Sequence, residues 1–108
     1  MIMVRAIVRP EKADEILAAL AQAGFSGATR MDVYGRGKQK GIKIGNVFYD
    51  ELPKELLMLV VDEADEKTVC DTIMATARTS EEGNYGDGRI FVSPVKTSYT
   101  ISSKSEDR

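Results

Sequence analysis

Twice along this chain a strand pattern runs straight into a helical one, and that repetition leaves few folds open. Residues 2–9 alternate, with Ile2, Val4, Ala6 and Val8 on one face and Met3, Arg5, Ile7 and Arg9 on the other. The strand ends at Pro10. Residues 11–23 then place Ala13, Ile16, Leu17, Leu20 and Ala21 on one helical stripe, with Gly24 as a natural C-terminal cap. Thr29, Met31 and Val33 alternate again. The continuous apolar run Leu56-Leu57-Met58-Leu59-Val60-Val61 reads as a strand buried on both faces. Residues 64–78 form the second helical stripe, with Val69, Cys70, Ile73, Met74 and Ala77 inward. The acids from Asp62 to Glu66 suit its positive N-terminal end. Met3, Met31, Met58 and Met74 read as core filler, and Cys70 as a small buried hydrophobe. Arg89 to Val95 is a further strand, and Pro94 places it at a sheet edge or marks its end. Tyr99 to Ile101 adds a short strand, and the polar residues 102–108 read as a flexible tail.

The order β-α-β-β-α-β is that of an α+β, ferredoxin-like sandwich, here a single domain over residues 1–101. Two helices cover one face of a four-stranded sheet. The other face, carrying Met3, Arg5 and Ile7, exposes mixed apolar surface and needs another chain to cover it. At 108 residues the chain has room for one core and is marginal without partners.

Two glycine-punctuated cationic segments stand outside this framework. One is Gly35-Arg36-Gly37-Lys38-Gln39-Lys40-Gly41, opening a loop over residues 36–53 that is long for so small a domain. The other is Gly86-Asp87-Gly88-Arg89. Glycine lets the backbone approach a ligand closely, and its N–H groups can cradle an anion that lysine and arginine then neutralise. Asp-Gly is also a turn signal in its own right. Neither segment matches a GxGxxG or GxxxxGK[ST] fingerprint. The net charge is −2, so the basic charge is local, which favours one specific anionic ligand over indiscriminate polyanion binding. The basic run also lacks aromatic stacking partners for nucleic acid.

With no histidine and one cysteine, His/Cys metal sites, histidine acid–base catalysis and an intrachain disulfide are excluded. The lone Cys70 fits a reducing, cytoplasmic compartment. No apolar run approaches the ~20 residues of a membrane span, and the opening residues begin a strand rather than a signal peptide.

The glycine segments, with Arg5-Ala6-Ile7-Val8-Arg9-Pro10, Leu52-Pro53-Lys54 and Gly86-Asp87-Gly88-Arg89-Ile90-Phe91-Val92, resemble the PII nitrogen-signalling family over nearly the whole chain. Met31-Asp32-Val33-Tyr34-Gly35-Arg36-Gly37, Gly41-Ile42-Lys43-Ile44-Gly45 and Tyr49-Asp50-Glu51-Leu52-Pro53-Lys54 are most similar to its nitrogenase-associated branch, in which the loop is shortened. The resemblance implies a non-catalytic homotrimer with a mobile loop, binding ATP or ADP, Mg²⁺ and 2-oxoglutarate. It further implies a paired homologue and direct contact with the nitrogenase molybdenum–iron component. By position it assigns Ile7, Thr29, Gly35, Arg36, Gly37, Lys38, Gln39, Val60, Gly86, Asp87, Gly88 and Arg89 to the nucleotide. It assigns Gln39, Lys40, Gly41 and Lys54 to 2-oxoglutarate, and Gln39 to magnesium. In this set Gly86, Asp87 and Gly88 present backbone N–H groups to phosphates.

The chain also departs from the family pattern. Met58 stands where many relatives have a glutamate near the adenine. Thr79-Ser80-Glu81-Glu82-Gly83 contains an insertion of about three residues, which brings two acids near a phosphate loop. Thr100 and Ser102 replace two arginines; Arg78, Lys96 and Lys104 are candidates to compensate. Tyr49 lies nearer the loop base than the modifiable tyrosine of other members, so its nucleotidylation is not expected. Two rival functions stay open on sequence. One is a general regulator of an ammonium channel or nitrogen-assimilation enzyme; the other is a small phosphoryl hydrolase on the same scaffold.

Overall fold

A computed structural model describes residues 1–36, 42–44, 47–49 and 51–107; for 42–44 and 47–49 it describes the strand pairing alone. Gly37, Lys38, Gln39, Lys40 and Gly41 therefore lie outside the described side chains, and Ile42, Lys43 and Ile44 enter only as a paired strand.

The elements follow the expected order. Strand β1 (Ile2–Val8) leads into α1 (Pro10–Gln22), then β2 (Thr29–Arg36). Two short strands, β3 (Ile42–Ile44) and β4 (Val47–Tyr49), pair with each other, and β5 (Glu51–Val61) follows. A turn of 3₁₀ helix (Glu63–Asp65) runs into α2 (Glu66–Ala77), and β6 (Gly88–Pro94) completes the main sheet in the order β2-β5-β1-β6. All three pairings are antiparallel. This is the ferredoxin-like α+β arrangement, and β6 lies at the edge where Pro94 can do no harm to a ladder.

Local chemistry accounts for the helix limits. Pro10 occupies the first turn of α1, where its missing N–H is no loss. At the other end Gly24 adopts φ +100°, its N–H reaches the Ala21 carbonyl at 3.1 Å, and the Phe25 N–H reaches Leu20 at 2.8 Å. Those two bonds form a Schellman cap, which turns Phe25 back against the core.

The core lies between the helices and one sheet face. Val4, Ala6 and Val8 of β1, Leu57 and Leu59 of β5, Ala13, Ile16 and Leu20 of α1, and Val69, Ile73 and Ala77 of α2 are buried together. Ala21, expected on the α1 stripe, is exposed, and Leu17 is half-buried, because the stripe that meets the sheet is narrower than the sequence pattern. β5 is not covered on both sides as its apolar run suggests. Leu57 and Leu59 face the helices, while Leu56 and Met58 are half-buried and Val60 is 44% exposed on the open face. Met31 and Met74 are likewise surface residues rather than core filler. Cys70 is half-buried against the core, and burial raises its thiol pKa, as do the nearby charges of Glu66 and Asp71.

The residues from Ser102 onward, read as a flexible tail, include a strand pairing that the sequence pattern did not show. Here β7 (Tyr99–Thr100) pairs with β8 (Ser105–Glu106). Asp107 ties the hairpin by accepting from Ser98 Oγ at 2.6 Å and Thr100 Oγ1 at 2.5 Å. Polar composition signals a solvated segment but cannot report that one carboxylate meets two hydroxyls.

Edge strand β2 is held by a charged triad. Arg30 donates to Asp14 of α1 at 2.6 Å and to Glu55 of β5 at 2.9 Å. Glu55 is buried, and its second carboxylate oxygen has no partner among the described residues. Removing the guanidinium leaves a buried, uncompensated charge. Arg30→Ala is therefore expected to lower the thermal midpoint more than Asp14→Ala, and Arg30→Ala with Glu55→Leu to recover part of the loss. Equal midpoints for the two single variants would disprove the asymmetry.

Candidate functional site

The sheet register decides which expected site residues can meet. On the open face β1 places Arg5 opposite Met58 on one side and Phe91 on the other, and Ile7 opposite Leu56 and Arg89. On β2, Thr29 pairs with Met58, Val33 with Lys54, and Gly35 with Leu52. Ile7, Arg89, Lys54 and Gly35 thus gather at the end of the sheet where the 78–88 segment crosses over. Thr29 lies one open-face row further along, and Val60, opposite Met3, lies further still. Within one chain Thr29 and Val60 do not join the cluster. Val60 instead lines a smaller cleft of about 400 Å³ with Phe25, Asp62, Asp65 and Asp107.

Lys54 is the centre of the cluster. It is only 8% exposed, and its ammonium donates to the Gly86 carbonyl at 2.7 Å. Burial lowers its pKa, and the positive charge of Arg9 lowers it further. Gly35 makes room for this side chain, since a Cβ there would sit 3.2 Å from Lys54 Cγ. Arg89 has no hydrogen-bond or ion-pair partner among the described residues, so its guanidinium is available to an anion. Arg36 is engaged with Glu51 at 3.1 Å.

Asp87 has a part within the chain itself. Its backbone N–H donates to the Asn84 carbonyl at 3.1 Å. Its carboxylate is an internal clamp. One oxygen accepts from Arg9 Nε at 3.1 Å and Thr79 Oγ1 at 2.8 Å. The other accepts from the backbone N–H of Asn84 at 2.8 Å and of Thr79 at 3.2 Å. Burial alone would raise the Asp87 pKa. The Asn84 N–H, both groups of Thr79, and Arg9 outweigh it and hold the carboxyl down at about 2. Arg9 also donates to the Tyr85 carbonyl at 3.1 Å, so it fastens the crossing segment to the end of β1.

The two glycines of this segment have distinct tasks. Gly86 takes φ +95° and turns its carbonyl to Lys54. Gly88, at φ +126°, passes so close to β1 that an added Cβ would lie 2.0 Å from the Ile7 carbonyl oxygen.

Arg9, Thr79 and Asn84 are the residues that sequence reasoning missed. Arg9 was read only as the end of a strand. Thr79 belonged to an insertion notable for its acids. The sequence carries no short-range signal for the clamp beyond the turn-prone Asn84 and Asp87-Gly88 residues. Of the two acids, Glu82 points to the helix side of the segment, while Glu81 uses its carbonyl to accept from Arg78.

The arrangement offers buried positive charge, a guanidinium unpaired among the described residues and a glycine-shaped backbone at one end of the sheet. Among the described residues it offers no group of three carboxylates or thiols able to hold a metal by themselves. Nor is any helix among them long and apolar enough to cross a membrane.

The family model for nitrogen regulatory protein P-II matches residues 1–105. The chain is 54% identical over 105 residues to nitrogen fixation nifHD region glnB-like protein 1 of Methanococcus maripaludis, with 97% of each chain covered. It is 46% identical over 106 residues to the protein of that name from Methanothermobacter marburgensis, with 98% of each covered. It is 48% identical over 101 residues to the nifHD1 region GlnB-like protein 1 of Methanosarcina barkeri, covering 94% of this chain and 93% of the relative. On a match that spans its sheet, both helices and the 78–88 segment, the chain belongs to the P-II family of nitrogen regulatory proteins.

Proposed function

We propose that this chain works as a homotrimeric, non-catalytic sensor that binds ATP or ADP with Mg²⁺, and 2-oxoglutarate, and regulates nitrogenase by direct contact. A paired homologue acts with it. The observation that carries this reading is the buried Lys54 ammonium beside the glycine-shaped segment and the unpaired Arg89. A desolvated cation next to exposed backbone is suited to a carboxylate or phosphate, not to a neutral ligand. The relatives' association with the nitrogen fixation nifHD region supports nitrogenase as the target. The apolar open face, with Met31 at 46%, Val60 at 44% and Phe91 at 49% exposure, supports self-association.

Magnesium would arrive on the nucleotide phosphates, with Gln39 as the expected protein ligand, since the oxygens of Asp87 are already taken by four donors. Phosphate contacts fall to Arg89 and the Gly86 and Gly88 backbone. The effector carboxylate falls to Lys54, with Gln39, Lys40 and Gly41 beside it. Partner contact falls to the segment between Arg36 and Glu51.

Calorimetric titration tests this. Mg-ATP is expected to bind the wild type and to enable 2-oxoglutarate binding. Lys54→Met is expected to weaken 2-oxoglutarate by roughly 10- to 100-fold, because it removes one charge-assisted contact. If the wild type binds neither ligand, the sensor reading is wrong.

A further inference from the structure

One charged side chain stands where the open face of the sheet is otherwise apolar. Arg5 is the middle residue of β1, and β1 and β5 are the two inner strands of the order β2-β5-β1-β6. Its neighbours across the two ladders are Met58 and Phe91. The adjoining open-face rows pair Met3 with Val60 and Ile7 with Leu56. Arg5 thus marks the centre of the face, both along and across the strands. It is exposed and has no hydrogen-bond or ion-pair partner among the described residues.

The face itself holds nothing to neutralise that charge. By register, the open-face positions of its four strands include Lys54 and Arg89 at one end and no aspartate or glutamate. The first carboxylate beyond β5, Asp62, lies four residues past Met58, about 13 Å along the strand. While the face is wet, an unpaired arginine costs nothing. Once the face is covered, a desolvated charge without a partner is strongly unfavourable. The argument from here rests on the homotrimer proposed above. When three copies turn one sheet face inward about a threefold axis, the residue at the centre of that face points at the axis. Three Arg5 guanidinium groups then converge, and every copy brings the same acid-free face.

We propose that the Arg5 side chains of three copies form an axial site for one compact, multivalent oxyanion of the phosphate or sulfate class. Each guanidinium offers a planar fork of N–H donors that matches an oxyanion, and three forks suit an ion with two or more negative charges. Met58 and Phe91 flank each fork with apolar surface, which lowers the local dielectric and strengthens the contact. The site does not exist in a single chain, and it is separate from the Lys54 edge. Thr29, the expected nucleotide residue in the same row, is on edge strand β2, two strand spacings or about 10 Å from Arg5. Assembly of the chain thereby responds to the oxyanion concentration around it.

Inorganic phosphate is the probe, compared with chloride at equal ionic strength, on the full chain without nucleotide. Sedimentation equilibrium is expected to show a trimer that phosphate tightens at least ~10-fold. Calorimetry on the trimer should give one phosphate per three chains. One per chain would place the ion at the Lys54 and Arg89 end and overturn the proposal. Arg5→Met should assemble as well in chloride as in phosphate, because it replaces unpaired charge with apolar contact. Arg5→Lys keeps the charge but loses the fork, so it should still need phosphate and bind it more weakly. Circular dichroism checks that both variants fold.

A wild-type trimer indifferent to phosphate overturns the proposal, as does a phosphate response that Arg5→Met retains. Either result leaves the sensor reading standing. A wild type that is monomeric with and without phosphate removes the homotrimer itself, and the axial site with it. Mg-ATP separates the two sources of phosphate. A free axial ion stays bound at one per three chains when Mg-ATP is added. Its displacement would mean that Arg5 takes the nucleotide's own phosphate tail, which refutes a separate site.

Discussion

Gly88→Ala is expected to remove about 3 to 5 kcal/mol of folding stability, the range of severe steric substitutions at a constrained backbone position. Two penalties combine. The residue sits at φ +126°, which costs a side-chain-bearing residue on the order of 1 to 3 kcal/mol. Its new methyl would also lie 2.0 Å from the Ile7 carbonyl oxygen, 3.1 Å from the Ile7 carbonyl carbon and 3.2 Å from Val8 Cα. All three are backbone atoms of the central strand β1, so no side chain can swing aside. The neighbouring Gly83 is the control. It also has positive φ, +74°, but its nearest atoms are the flexible Arg78 guanidinium at 3.5 Å and an Asp87 oxygen at 3.6 Å. Gly83→Ala should cost only about 1 kcal/mol. Urea unfolding of both variants measures the difference. Similar midpoints would mean that the close approach of β6 to β1 is not what selects glycine at 88.

The clamp at Asp87 has the next largest expected effect, and it carries a pH signature. Its pKa falls from an ordinary 3.8 to about 2 on folding. A depressed carboxylate stabilises the fold above its unfolded pKa, and that contribution is lost as pH falls through the folded value. The window is therefore from about pH 4 down to pH 2, and the magnitude on the order of 2.5 kcal/mol. The side chain is 14% exposed, so solvent screens it little. Asp87→Asn should be less stable than wild type by about 2 to 3 kcal/mol at pH 7, because an amide brings donors to a place already filled with them. The gap should close as pH approaches 2. Urea midpoints measured across that window decide it. A gap independent of pH would show that shape, not ionisation, makes the clamp.

Much of the frame was readable because it rests on periodicity, which is local. Alternation in residues 2–9 correctly assigned Val4, Ala6 and Val8 to the core. Gly24 marked the cap of α1, and Pro94 marked an edge strand. The continuous apolar run of β5 serves two faces of a central strand: Leu57 and Leu59 meet the helices, while Leu56, Met58 and Val60 lie on the open face, which one chain alone leaves half-covered. Composition at 102–108 describes solubility and not partners, so the pairing of β7 with β8 was not legible there.

At the site, residue types were legible and their relations were not. The glycines and cations announced an anion-receptive edge from sequence alone. That Asp87 acts as a clamp depends on Arg9 lying 78 residues away in sequence and 3.1 Å away in space. Lys54 looks like any lysine after a proline until the β2–β5 register sets it over Gly35 and beneath Gly86.

By itself, then, the sequence determined the order of elements, the helix ends and which face of each strand is apolar, because these follow from backbone geometry over a few residues. Tertiary structure alone decided the Asp87 clamp, the burial of Lys54 and the need for glycine at 88. Each of these depends on strand order and register, which bring distant residues within hydrogen-bond or contact distance and which no local pattern encodes.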